Sequence, residues 1–157
     1  MKKFYTFVLL LLFLTNFTSC GYQLRGVEGL NFKSVSIVGG SPDFTKLLKK
    51  KFKQAGVKIQ EKNTVKSLEI IEDNFSRKIL SLSSGGKVKE YQINYKVAFR
   101  FKTRDGEWSA PINIEIDRDY TFDDKNIIAK TEEELRILKS MQERLIRTIV
   151  TQLSVQT

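Results

Sequence analysis

The amino-acid sequence predicts an α+β fold: a two-layer sandwich with two α-helices on one face of a four-stranded, mostly antiparallel sheet, in the order β-α-β-β-β-α. Three observations predict it. Residues 88–103 alternate throughout, with Tyr91, Ile93, Tyr95, Val97, Phe99 and Phe101 on one side and polar side chains on the other, the mark of a sheet with one buried face. Two other segments repeat apolar residues every three or four positions, as helices lying on a sheet do. Between them stand turn signals that separate long strands rather than linkers that separate domains.

The elements follow in order. Lys33 to Val38 reads as the first strand, with Val35 and Ile37 on one side, and Gly39-Gly40 breaks it. Ser41 caps a helix that opens on Pro42, where a missing N–H costs nothing. Phe44, Leu47, Leu48 and Phe52 give that helix one apolar face, and Gly56 ends it. Lys46, Lys49, Lys50, Lys51 and Lys53 occupy the rest of its circumference and read as a solvated face. A loosely alternating strand runs from Ser67 to about Leu82, and Ser83-Ser84-Gly85-Gly86 turns the chain into the long alternating strand. Arg104-Asp105-Gly106-Glu107 forms a hairpin turn around the favoured Asp-Gly pair. The return strand runs from Trp108 through Ile112, Ile114 and Ile116 towards Tyr120 and Phe122. Thr131 with Glu134 makes a capping box for the last helix. Its stripe is Leu135, Leu138, Met141, Leu145, Ile149 and Leu153, supported by Ile146 and Val150. Both hairpin strands exceed the usual five or six residues, so the hairpin is expected to project beyond the core.

The N-terminus is an address. Lys2 and Lys3 precede an uncharged run from Phe4 to Leu14, too short to span a bilayer comfortably, and the only cysteine, Cys20, follows the small residue Ser19. This resembles the lipobox of bacterial lipoproteins, with Phe17 where that pattern prefers Leu. Residues 1–19 are therefore read as a removed signal peptide and residues 20–157 as a single mature domain. The resemblance implies an N-acylated, S-diacylglyceryl Cys20 and stable anchoring by its acyl chains. Gly21 in place of Asp after that cysteine implies, by the same resemblance, the outer membrane with the domain facing the periplasm.

Composition narrows the chemistry. The absence of histidine removes Ser-His and Cys-His nucleophile systems and His-containing zinc sites. No phosphate loop, nucleophile elbow or dinucleotide fingerprint is present. The acidic pairs Asp117/Asp119 and Asp123/Asp124 suggest a metal or acid–base site, but a solvated strand face and loop account for them. No enzyme, cofactor or metal is expected. Loss of Lys2 and Lys3 leaves 25 basic against 18 acidic side chains, a net +7. Such a domain attracts phosphate-bearing partners. For an exported protein that means the lipopolysaccharide surface rather than nucleic acid.

Four stretches carry a resemblance to the LPS-assembly lipoprotein family LptE (RlpB), spread over essentially the whole mature chain. They are Cys20-Gly21-Tyr22-Gln23-Leu24-Arg25-Gly26; Glu90-Tyr91-Gln92 after the turn at Ser84 to Lys87; Arg118-Asp119-Tyr120 followed by Ala129-Lys130; and the closing helix from Met141 and Leu145 to Thr151-Gln152-Leu153. The resemblance implies a subunit that plugs the LPS-inserting outer-membrane β-barrel of the LptD type, assists its assembly and binds lipopolysaccharide, without catalysis. Family LPS binding is associated with basic residues at the turn between the second and third strands and at the start of the last helix. Lys130 matches the latter. At the turn the family's arginine is Ser84 here, and Lys87 and Lys89 are the nearest cations. Two other classes stand beside this one: a free-standing periplasmic lipoprotein binding an anionic envelope glycolipid or polymer, and a carboxylate-based hydrolase of envelope sugars.

Overall fold

In a computed structural model, the structure describes residue 30 and residues 32–61, 66–102 and 105–156. The leader, Cys20 and the Cys20–Gly26 stretch lie outside the described residues, as do Thr103 and Arg104 of the second hairpin turn.

The chain forms β1 (Ser34–Gly39), α1 (Pro42–Gln54), β2 (Lys58–Gln60), β3 (Ser67–Leu82), β4 (Val88–Phe101), β5 (Ile112–Thr121), a 3₁₀ turn (Asp124–Asn126) and α2 (Ile127–Gln156). The sheet has five strands in the order β2-β1-β3-β4-β5, one more than expected. β1 runs parallel to both neighbours, with Val35 opposite Ile59 and Ile37 opposite Leu68. The sheet is therefore mixed, and only β3, β4 and β5 form the antiparallel meander expected. The reason is the α1 crossover: a helix between two strands carries the chain back to its starting end, so the next strand runs parallel. β2 escapes a reading of hydrophobic period because it has three residues, of which only Ile59 is apolar.

Ser41 caps α1 as the sequence predicts, with its Oγ accepting from the Phe44 N–H at 3.4 Å. Gly39 and Gly40 both hold φ near +76°, which turns the chain out of β1 into the helix. The second cap departs from expectation. Asp123 accepts from the Lys125 N–H at 3.0 Å and opens the 3₁₀ turn that leads straight into α2 at Ile127. Thr131 instead lies inside the helix, its hydroxyl donating to the Ile127 carbonyl at 2.9 Å. Asp123 wins because its loop follows β5 directly, while Glu134 is drawn to partners across the sheet.

Phe44, Leu48 and Phe52 of α1 meet Met141, Leu145, Ile146 and Ile149 of α2 over Leu68, Ile70, Ile93 and Phe99, all buried. Leu135 does not join this stripe; it stands 61% exposed. A bulge at Ile71 shifts β3 by one residue, so that Asp73, Phe75, Arg77 and Ile79 share the helix-side face with their β4 partners Val97, Tyr95, Ile93 and Tyr91. Of the return strand, Trp108 makes only an isolated bridge to Lys102, and β5 proper begins after Pro111.

Candidate anion-binding site at the hairpin end

The turn between β3 and β4 is closed by the Ser83 N–H donating to the Lys87 carbonyl at 2.7 Å and the Gly86 N–H to the Ser83 carbonyl at 3.0 Å. Gly86 holds φ at +76°, a conformation L side chains rarely adopt. One strand over, the Phe122 N–H donates to the Lys89 carbonyl at 2.8 Å, which ties the end of β5 and the loop before α2 to the start of β4. Three segments distant in sequence thus meet at one end of the sheet.

Lys87, Lys89 and Lys130 converge there, but their ammonium groups differ in what they already hold. Lys87 pairs with Asp124 at 2.6 Å, both side chains well exposed. The hydrogen bond to Asp124 raises the Lys87 pKa, and the same bond holds the Asp124 carboxyl below the usual carboxylate range. Lys130 is only 19% exposed and donates to Glu133 at 2.8 Å and to the Thr121 hydroxyl at 3.4 Å. Lys89 is exposed and has no side-chain partner among the described residues. Around them stand exposed aliphatic side chains, Ile79, Leu80 and Leu82 from β3 and Ile127 and Ile128 from α2, the last 81% exposed. The end of the molecule is both basic and apolar, a combination that suits anionic amphiphiles.

Beneath it lies a braced network. Tyr120, 5% exposed, donates its hydroxyl to Oε2 of Glu134, and Arg77 donates to the same oxygen at 2.7 Å. Burial first, then the bond to Glu134, pushes the Tyr120 phenol up to about 12 against a lowering pull from Arg77. Tyr91 stacks on Tyr120 with centroids 5.8 Å apart, and Arg77 sits 4.5 Å over the Tyr91 ring. Tyr91 and Tyr120 were legible as strand residues. Arg77 lies within the strand expected from Ser67 to about Leu82, but only the β3–β4 register brings it to them.

The acidic residues weighed as a chemical site are dispersed. Asp117 accepts from Asn94 at 2.9 Å and Asp119 from Gln92 at 2.8 Å, both on the open face of the sheet. Asp123 serves as a cap and Asp124 as the partner of Lys87. Among the described residues no group of three or more His, Cys, Asp or Glu side chains is arranged to hold a metal. Asn94 also donates to Glu115, which lies 3.7 Å from Lys96. The face away from the helices is thus a polar lattice along the whole β4–β5 ribbon.

With this architecture established, the family profile described as lipopolysaccharide-assembly, LptE, matches residues 31–153. The chain belongs to the LptE family. The profile spans every strand and helix described above apart from the last few residues of α2. Among solved structures, the chain is similar to rare lipoprotein B from Shewanella oneidensis, at 28% identity and TM-score 0.70, with 78% of this chain and 94% of that chain covered. It is similar to an uncharacterized lipoprotein B from Nitrosomonas europaea, at 28% identity and TM-score 0.72, covering 85% of this chain and 90% of that one. A minor lipoprotein from Acinetobacter baumannii, 22% identical with TM-score 0.64 over 80% and 93% of the two chains, shares the fold. A search of curated proteins by sequence returned no match. No helix among the described residues is long and apolar enough to cross a membrane.

Proposed function

We propose that this LptE-family chain is the outer-membrane lipoprotein subunit of the lipopolysaccharide transport and assembly complex. It is anchored through lipid on Cys20, faces the periplasm, sits in the lumen of the LptD-type β-barrel that inserts LPS, and binds LPS without catalysing a reaction. Family membership supports the role in LPS assembly. The observation that carries the plug reading is the bare polar face of the sheet. Asn94, Gln92 and Lys96 and their carboxylate partners cover one side of a ribbon far longer than the core it shields. The lumen of a large barrel is polar, so such a face can enter it without burying apolar surface or stranding charge. The basic, apolar-edged hairpin end with Lys87, Lys89 and Lys130 supports the LPS-binding part of the reading, since ammonium groups hold phosphates by charge-assisted hydrogen bonds.

The test is a mild-detergent pull-down of the tagged, full-length protein from outer membranes, read by mass spectrometry. Recovery with one large β-barrel is expected. Recovery without any barrel would overturn the plug reading and leave a free-standing lipoprotein whose anionic ligand lies elsewhere in the envelope.

A further inference from the structure

Away from the hairpin end, α1 and α2 part over β3 and leave a groove of about 1670 Å³, larger than the roughly 300–1,000 Å³ of an ordinary small-molecule pocket. Its floor and inner walls are apolar: Phe75, Tyr95, Leu47, Leu135 and Leu138. Phe75 is 50% exposed and Leu135, as noted, more so, and the groove gathers them beside Leu47, Leu138 and Tyr95. An apolar strip left open in this way marks a binding groove rather than a scattered surface residue.

The rim is predominantly positive. Lys46, Lys49, Lys50 and Lys53 of α1 and Lys139 of α2 line the groove, against Asp43 and Asp73. Asp73 is already occupied, accepting from the Ser41 N–H at 2.5 Å. Lys46, Lys50 and Lys53 fall at i, i+4 and i+7, so they form a row along one side of the helix, roughly 10 Å long at about 1.5 Å per residue. Like charges at this spacing weaken a helix, and these lysines have no ion-pair partner among the described residues. Lysine stems lie against apolar walls and present their ammonium heads at the edge. The groove thus asks for a ligand with apolar chains below and negative charge above. Both walls are helices whose backbone hydrogen bonds are internally made, so no strand-like peptide finds an edge to pair with here.

The geometry points to this groove as the seat of LPS acyl chains, with the α1 lysine row holding the phosphates of the same molecule. The inference rests on the LPS-binding reading above and adds to it a second binding surface, separate from the lysines at the hairpin end.

The test uses the purified, full-length lipidated protein in a nonionic detergent, with rough LPS and chemically deacylated LPS as probes. Three variants are compared: Lys46→Gln/Lys50→Gln/Lys53→Gln, Leu135→Asp, and Lys89→Gln/Lys130→Gln at the hairpin end. All the groove positions changed are exposed, and circular dichroism checks that each variant folds. The triple lysine variant and Leu135→Asp should each weaken LPS binding about tenfold, equivalent to about 1.4 kcal/mol, and deacylated LPS should compete poorly against intact LPS. Groove variants that bind as wild type, or deacylated LPS that competes as well as intact LPS, would overturn the groove while leaving the hairpin end in place. Loss of barrel co-purification with LPS affinity unchanged would make the groove a protein contact and likewise overturn it. Failure of the wild-type protein to bind LPS at all would remove both this inference and the reading it rests on.

Discussion

Replacing Tyr120 by Phe removes one hydroxyl from the network that fixes the start of α2 against the end of β5, and the structure sets the size of the effect. The hydroxyl is buried and donates to the Glu134 carboxylate, a hydrogen bond to a charged group, worth about 1.5–3 kcal/mol. Glu134 retains Arg77 on the same oxygen and its side chain is 19% exposed, so guanidinium and water take over the vacated position. The loss is therefore expected in the lower half of that range, about 1.5–2 kcal/mol. Glu134→Gln keeps an amide oxygen for Tyr120 but loses the pairing with Arg77, whose side chain is 43% exposed; a pair of that exposure contributes about 0–1 kcal/mol. Urea unfolding of wild type, both single variants and the double variant gives the coupling between the residues, which should reach about 1 kcal/mol. Ultraviolet titration supplies an independent reading. Tyr120 should ionise near pH 12, clear of the ordinary value of about 10, and earlier once Glu134 becomes Gln. Because its folded pKa is raised, the contribution it makes is fully present below about pH 10 and is lost as the pH climbs through about 12. Strictly additive variants, or the same tyrosine titration with and without Glu134, would refute the network.

Three further outcomes follow from single residues. Gly39→Ala would place a Cβ 2.2 Å from the Ile70 carbonyl oxygen, whereas Gly56, at a similar positive φ, has open space; Gly39→Ala should cost about 2–3 kcal/mol and Gly56→Ala about 1, read by urea unfolding, and equal costs would refute the close approach of β1 to β3. Leu48→Ala, fully buried between the layers, should lower stability by about 3 kcal/mol in the same assay. Asp124→Asn frees the Lys87 ammonium and should tighten LPS binding. Lowering the pH through the depressed Asp124 pKa should open the same pair in wild type, seen as release of the Lys87 side-chain resonances in NMR.

How much of this was legible follows from the kind of signal each feature leaves. β4 reads as a half-buried strand because every second residue from Tyr91 to Phe101 is apolar, and the structure buries all of them but Tyr91, which it half-buries. α1 reads equally well, since Ser41-Pro42 is a local cap that needs no tertiary partner. β2 leaves almost no signal, because Lys58-Ile59-Gln60 is held by pairing with β1 and by Val57 beside it rather than by a pattern of its own. The parallel arrangement is likewise invisible in periodicity, which reports faces and not directions. The bulge at Ile71 explains why β3 alternates only loosely: two residues face one partner there, the side chains from Glu72 to Ile79 change face, and the register shifts again beyond Ile79. Thr131 and Glu134 satisfy the capping pattern in sequence, but Asp123 and the Arg77–Tyr120 pair compete for the same roles and are closer in space. Lys87, Lys89 and Lys130 came together through family resemblance. Their ion pairs depend on the contact between the loop before α2 and the β3–β4 turn, which no local pattern encodes.

The lysines of α1 show how far a charge run can be under-read. Spread around a helix they look like solvation, and each alone is an ordinary exposed cation. Once α2 is docked, the helix has one side that faces water and one that faces a groove, and Lys46, Lys50 and Lys53 line the latter. The same docking leaves Leu135 and Phe75 exposed although their neighbours Leu138 and Tyr95 are at least partly buried. A domain selected only for its own stability would close that gap by tilting α2 towards β3, or would place polar residues at positions 75 and 135. It does neither. The cost of the open apolar strip and of the uncompensated lysine row is borne together at one place, and both are relieved by one ligand that carries hydrocarbon and negative charge.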